Sequence, residues 1–181
     1  MLVVRHDLLI AGRGGQGILV LGYVLGLALV KYEGMYVVEM ESYSAETRGG
    51  DSRVEMIVAD TEEETYSLRI GKADMAILMY RDQVYNYAGM VRDNALVLID
   101  STFIDKAPKE SWNTHLVPIT KKTLDFLGTP RVANMVALGY FVKITKLASP
   151  ESIIKSIKEV VKPEWVELNI KAFNLGFSLT D

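Results

Sequence analysis

The sequence predicts an α/β fold: one domain with an open, mostly parallel sheet, helices on both faces and a helical C-terminal third. Three observations predict it. Short apolar runs at residues 8–11, 74–79 and 95–99 have strand length and no polar alternation, as central parallel strands covered on both faces require. Stretches that can form helices follow the first two, at 18–30 and 81–91, which gives a β-α-β rhythm. Beyond residue 132 the apolar residues recur at helical spacing. The 181 residues show no repeat, no low-complexity tract and no linker, so 1–181 reads as a single domain.

Each element has its own signal. The strand at 8–11 stops at Gly12. Residues 18–30 are apolar on nearly every helical face, so that helix should be buried all round, with Lys31 at its C-terminal end, where a cation is favourable. Gly22 and Gly26 share one face of it and would let another backbone approach closely. Glu33-Gly34 breaks the helix, and 36–40 is a β-prone second strand. Residues 53–58 alternate towards a strand, 60–64 form an acidic turn, and 66–70 suggest a further short strand. Asp100-Ser101-Thr102, at the tip of the 95–99 strand, reads as a turn or a helix cap, with a ligand-facing tip as the alternative. Residues 104–113 are a surface excursion, and 115–118 a last short strand. Residues 132–144 form a second helix apolar on almost every side, interrupted by Asn134 and Gly139; Asn134 reads as a buried, satisfied amide, with a direct ligand contact as the alternative. Ser149 before Pro150 is an N-cap for a helix with a stripe of Ile153, Ile154, Ile157, Val160 and Val161. Lys162-Pro163 ends it, and 165–175 forms the last helix, closed at Gly176.

Composition narrows the function. A net charge of -3 and a pI near 5.5 argue against nucleic-acid binding. The longest apolar run falls short of the ~20 residues of a membrane span, and the N-terminus shows no secretory pattern, so a cytoplasmic location away from membranes is expected. With no cysteine, the chain holds no ordinary iron–sulfur cluster on its own. His6 reads as a solvated partner of Asp7 and His115 as a hydrogen-bonded strand residue. Neither suggests a metal site, and no nucleophile elbow or triad pattern assigns a catalytic residue.

Two loops carry what chemistry the sequence shows. Gly12-Arg13-Gly14-Gly15-Gln16-Gly17 lies between the first strand and the first helix, where unpaired amides and the helix dipole favour an anion. Gly12, Gly14 and Gly17 also fit the dinucleotide spacing G-x-G-x-x-G, with Glu39 and Glu41 at the distance of a ribose-binding acid, so the sheet is Rossmann-like. The plainer alternative is a turn that serves packing only. Residues 41–52 form a polar loop that should open on the same sheet edge, where Arg48 and the amides of Gly49 and Gly50 would complete an anion site. Its alternative is a solvated connection in which Glu46 and Arg48 face water.

Taken together, the glycine turn and Ser42-Tyr43-Ser44-Ala45-Glu46-Thr47-Arg48-Gly49-Gly50-Asp51-Ser52 resemble the gamma subunit of the 2-oxoacid:ferredoxin oxidoreductases. The family's second motif runs Ser-Tyr-Gly-Pro-Glu-x-Arg-Gly-Gly. Here Ser44-Ala45 replaces its Gly-Pro step, which alters loop stiffness and leaves Glu46, Arg48, Gly49 and Gly50 in place. Residues 134–139 and 169–173 are similar to later family landmarks, and Asp51-Ser52-Arg53-Val54-Glu55 is closer to the 2-oxoglutarate type than to the pyruvate or branched-chain types. The resemblance implies an enzyme that decarboxylates a 2-oxoacid to an acyl-CoA and reduces ferredoxin. It implies partner alpha, beta and ferredoxin-like delta subunits, with thiamine diphosphate and the iron–sulfur clusters held by partners. For this chain it suggests a shared coenzyme A site formed by Gly12, Gly14, Gly15, Gln16, Gly17, Glu46, Arg48, Gly49 and Gly50. The competing readings are a stand-alone NAD(P)-binding reductase and a purely structural assembly subunit.

Overall fold

The computed structural model describes residues 4–44 and 50–180. Six strands form one sheet: β1 (Arg5–Arg13), β2 (Tyr36–Tyr43), β3 (Asp51–Ala59), β4 (Ala73–Leu78), β5 (Val91–Asp100) and β6 (Asn113–Val117), in the order β2-β3-β1-β4-β5-β6. The β1/β4, β4/β5 and β5/β6 pairings are parallel, and β3 is antiparallel to both β1 and β2. Only β3 therefore runs against the other five, and the mostly parallel sheet is as expected.

The helices are α1 (Ile18–Tyr32), α2 (Arg81–Asn86), α3 (Ile119–Leu127), α4 (Ala133–Thr145), α5 (Pro150–Val160) and α6 (Pro163–Ser178). Alternate strand residues feed two cores. Leu8, Ile10, Val54, Met56, Ile77 and Leu98 pack with α1, α4, α5 and α6. Leu9, Ala11, Ile57, Ala76, Val97 and Ile99 face the other side, which is closed by Val84 of α2 and by Ile70, Ile104 and Trp112 from connecting segments. Helices thus lie on both faces, but one face carries most of them. Ser149 caps α5 by accepting a hydrogen bond from the Ser152 amide at 3.2 Å.

The structure corrects several expectations. Helix α1 is not buried all round: Val20, Tyr23 and Val30 stay exposed while its other side packs on the sheet. Residues 66–70 form no strand: both neighbours of β1 are already taken by β3 and β4, and only Ile70 turns into the core while Tyr66 and Leu68 stay exposed. The helix expected over 81–91 ends at Asn86 and passes through a single 3₁₀ turn, Ala88–Met90, because Val91 already belongs to β5. Helix α3 was not expected at all. Its buried residues are only Ile119 and Thr123, and its first turn is held from outside by Asp100. Finally, α6 runs through Gly176, which is packed against the backbone of Val136 in α4 and does not act as a C-cap.

The Gly22/Gly26 face receives a side chain rather than another backbone. A Cβ at Gly22 would lie 2.8 Å from Glu39 Oε1, and one at Gly26 would lie 2.9 Å from Glu39 Oε2. Burial, seconded by the Glu41 carboxylate, pushes Glu39 from 4.5 up to about 7. Native protein then binds more protons than unfolded protein between these values, so the Glu39 contribution is intact below about 4.5 and is lost as pH rises through about 7. Glu39→Gln removes the charged form. From pH 4.5 to pH 8 its stability relative to the parent should rise by about 2 kcal/mol, a figure reduced for partial solvent screening. Urea unfolding at both pH values measures this, and a pH-independent difference would refute the assignment.

Candidate functional site

The glycine turn is built by local demands. β1 delivers Arg13 to the C-terminal edge of the sheet, and α1 starts at Ile18 with Gly17 as its N-cap in the left-handed region, φ 70°. Gly15 is left-handed too, φ 93°. A Cβ on Gly12 would come within 2.6 Å of Ile18 Cδ1, and one on Gly17 within 2.5 Å of Asn134 Nδ2. Asn134, buried at the start of α4, donates to the Gly17 carbonyl at 3.0 Å and accepts from the Met135 amide at 2.9 Å. It is the satisfied amide the sequence suggested, and it also locks the turn.

Gln16 works inside the turn. Its Oε1 accepts from the Arg13 amide at 2.7 Å, and its Nε2 donates to the Met79 carbonyl at 3.1 Å. The Gln16 amide donates to the Arg13 carbonyl at 3.1 Å. Several of the turn's donors are therefore spent internally. The amides of Gly15, Gly17, Ile18 and Leu19 find no acceptor among the described residues, and with the helix dipole behind them they suit an anion.

The second loop meets the first. Gly12 and Arg13 pair with Ser52 and Asp51 across the β1/β3 ladder, and the Gly14 amide donates to the buried Gly50 carbonyl at 2.6 Å. At the loop's base the Ser44 amide donates to the Asp51 carbonyl at 2.8 Å, and the Asp51 amide to Ser44 Oγ at 3.0 Å. Glu46, Arg48 and Gly49 lie outside the described residues. Gly12, Gly14, Gly15, Gln16, Gly17 and Gly50 are gathered at one place.

A third wall was not foreseen. Sequential connections leave β1 for β2 on one side and enter β4 on the other, so the crevice between the C-terminal ends of β1 and β4 is the topological switch point of the sheet. Tyr80, just past β4, lies there. Arg13 Nη1 donates to Tyr80 Oη at 3.2 Å, and the Arg13 guanidinium carbon is 5.2 Å from the ring centroid. Tyr80 also contacts Phe103, with ring centroids 4.8 Å apart. Phe103 leads into a cleft of 230 Å³ lined further by Arg81, Tyr85, Ile104, Asp105 and Lys106, which brings two cations and one carboxylate near this edge. The sequence offered only an aromatic residue two positions past a buried parallel strand, which carries no spacing signal of its own.

The remaining candidates sit elsewhere. His6 lies at the start of β1, towards the opposite edge, with Nδ1 3.1 Å from Asp74 Oδ2, so its partner is Asp74 and not Asp7. Asp7 pairs with Arg5 at 3.0 Å. His115 Nδ1 lies 3.1 Å from Tyr140 Oη. Asp100 makes the turn the sequence suggested, Oδ1 accepting from the Thr102 amide at 3.0 Å, and it also holds the first turn of α3, Oδ2 accepting from the Thr120 amide at 3.1 Å and from Thr120 Oγ1 at 2.5 Å. Glu39, one of the two alternative acids for a dinucleotide reading, is turned under α1.

The profile of the family described as Pyruvate ferredoxin/flavodoxin oxidoreductase matches residues 7–179. The chain belongs to this family. It is 32% identical over 184 residues to the 2-oxoglutarate synthase subunit KorC of Methanothermobacter thermautotrophicus, covering 99% of this chain and 97% of that one. Among solved structures it is similar to the gamma subunit of the keto/oxoacid ferredoxin oxidoreductase of Geobacter sulfurreducens, with a TM-score of 0.82, 31% identity and coverage of 95% and 96% of the two chains. It shares the fold, at a TM-score of 0.84 and 19% identity, with 2-oxoglutarate:ferredoxin oxidoreductase from Magnetococcus marinus, determined with 2-oxoglutarate, coenzyme A and succinyl-CoA bound. The match covers 97% of this chain and 32% of that one, so there the same unit is about one third of a longer polypeptide. The family's fold and its oxidoreductase subunit character thus agree with the resemblance in the sequence.

Proposed function

We propose that this chain is the gamma subunit of a cytoplasmic 2-oxoglutarate:ferredoxin oxidoreductase and that it docks the anionic end of coenzyme A beside chemistry carried by alpha, beta and ferredoxin-like delta partners. The observation that carries the proposal is the 2.6 Å hydrogen bond from the Gly14 amide to the Gly50 carbonyl, which joins the two loops at the sheet's ligand-binding edge. Coenzyme A supplies the thiol that takes up the acyl group. The Gly15, Gly17, Ile18 and Leu19 amides bind its phosphates, Gln16 holds the turn that aims them, and Arg48, two residues from Gly50, adds a charge-assisted contact. The contribution to rate is proximity, with no proton transfer assigned to this chain. Thiamine diphosphate and the clusters belong on partner subunits: the chain has no cysteine, and Gly50-Asp51 is followed by Ser52 where a thiamine site has a second glycine.

Isothermal titration of the assembled enzyme tests this. Arg48→Ala should weaken coenzyme A binding by about 10- to 100-fold, the worth of one charge-assisted hydrogen bond. Unchanged affinity would remove Arg48 from the site.

A further inference from the structure

We propose that Asp51 is a positioning residue for coenzyme A docking: fixed by Tyr87 and Gln83, it holds Gly50 where its carbonyl receives the Gly14 amide and so sets the spacing of the two loops. The inference rests on the docking site proposed above.

Asp51 uses every polar group it has. Its backbone pairs with Ser44 in both directions, at 2.8 and 3.0 Å, which closes the base of the second loop. Its carboxylate points to the face carrying α2, where Oδ1 accepts from Gln83 Nε2 at 3.1 Å and Oδ2 accepts from the Tyr87 hydroxyl. Gln83 is buried, and Tyr87 is held from its other side by the Arg53 guanidinium, 5.0 Å from the ring centroid. Burial first, and then the Asp51 carboxylate, push the Tyr87 phenol up to about 12, so it stays a donor at working pH. Arg53 is occupied in turn by Glu55, 3.3 Å away. The carboxylate thus ties β3 to the segment following β4, across the strand that carries the glycine turn. Its neighbour Gly50 cannot shift along the ladder without breaking these bonds. Nothing in this group reaches the unpaired amides of Gly15 or Gly17, so Asp51 acts through the loops and not on the ligand.

The test is steady-state kinetics of the assembled enzyme with 2-oxoglutarate, coenzyme A and ferredoxin. Asp51→Ala should raise the KM for coenzyme A about 10-fold, as expected when an orienting group is lost. The KM for 2-oxoglutarate should stay unchanged, with kcat at saturating coenzyme A within about twofold. Asp51→Asn, whose amide oxygen still accepts from one anchor, should restore most of the loss. Tyr87→Phe, which keeps the ring beside Arg53, should raise the same KM about threefold. A purely structural role would lower the yield of active enzyme, or shift both KM values together, and either result overturns the inference. Arg48→Ala run in parallel separates the two claims. If Arg48→Ala weakens coenzyme A and all three variants leave its KM unchanged, the positioning role alone is overturned. If Asp51→Ala raises that KM and Arg48→Ala does not, the positioning role stands and Arg48 leaves the site. If neither moves it, both readings are overturned.

Discussion

Gly176→Val is expected to prevent folded chain from accumulating. α4 and α6 cross with backbone against backbone: a Cβ on Gly176 would fall on the Val136 carbonyl, and one on Gly139 on the Phe173 carbonyl. Around these two points Tyr140, Phe141 and Phe173 are fully buried, so separating the helices opens gaps along the whole seam. Overpacking alone costs about 1–3 kcal/mol. Losing contact along the seam adds a comparable amount, for a total on the order of 5 kcal/mol, against domain stabilities that begin near that value. Gly34→Ala provides the control, since Gly34 has φ 71° with open space around it, and the change should cost only about 1 kcal/mol of backbone strain. Chemical unfolding of both variants decides the matter. A Gly176→Val protein within 1 kcal/mol of the parent would mean that the helix seam is not tight.

This seam also shows what the sequence conveys and what it conceals. A glycine after eleven residues of helical pattern looks like a C-cap, because a cap and a close crossing both require a missing Cβ. Only the position of Val136 distinguishes them. The same limit hid α3, whose start depends on Asp100, 20 residues away, accepting from Thr120, while its own buried residues are too few to mark a stripe. By contrast, β1, β4 and β5 were legible because strands covered on both faces must be apolar without alternation, and α4 because burial on all sides leaves almost no polar residue, whereas the equally apolar α1 keeps Val20, Tyr23 and Val30 exposed. In the site, the glycine turn was readable since left-handed backbone and close packing admit little else at Gly12, Gly15 and Gly17. Tyr80 and the anchors of Asp51 were not, because a single tyrosine or glutamine carries no spacing signal until the strands place it.

Gly17→Val should damage folding and ligand binding together, and by more than any other change within the turn. A β-branched residue at φ 70° costs about 1–3 kcal/mol in backbone strain. Its Cβ would also displace the Asn134 amide, and loss of the bond from Asn134 Nδ2 to the Gly17 carbonyl adds about 1 kcal/mol. A stability loss of about 3 kcal/mol follows. Because Gly17 both supplies an unpaired amide and sets the start of α1, coenzyme A affinity of the assembled enzyme should fall about 100-fold. Gly15→Val isolates the cause: Gly15 is left-handed at φ 93° with no atom near its missing Cβ, so it meets the strain without the collision. Unfolding and calorimetric titration of the pair should therefore place Gly17→Val well below Gly15→Val in both readings. If the two variants behave alike, backbone conformation alone shapes the turn and Asn134 does not lock it. If Gly17→Val lowers stability while coenzyme A binds as before, the amides at the head of α1 are not where its phosphates rest.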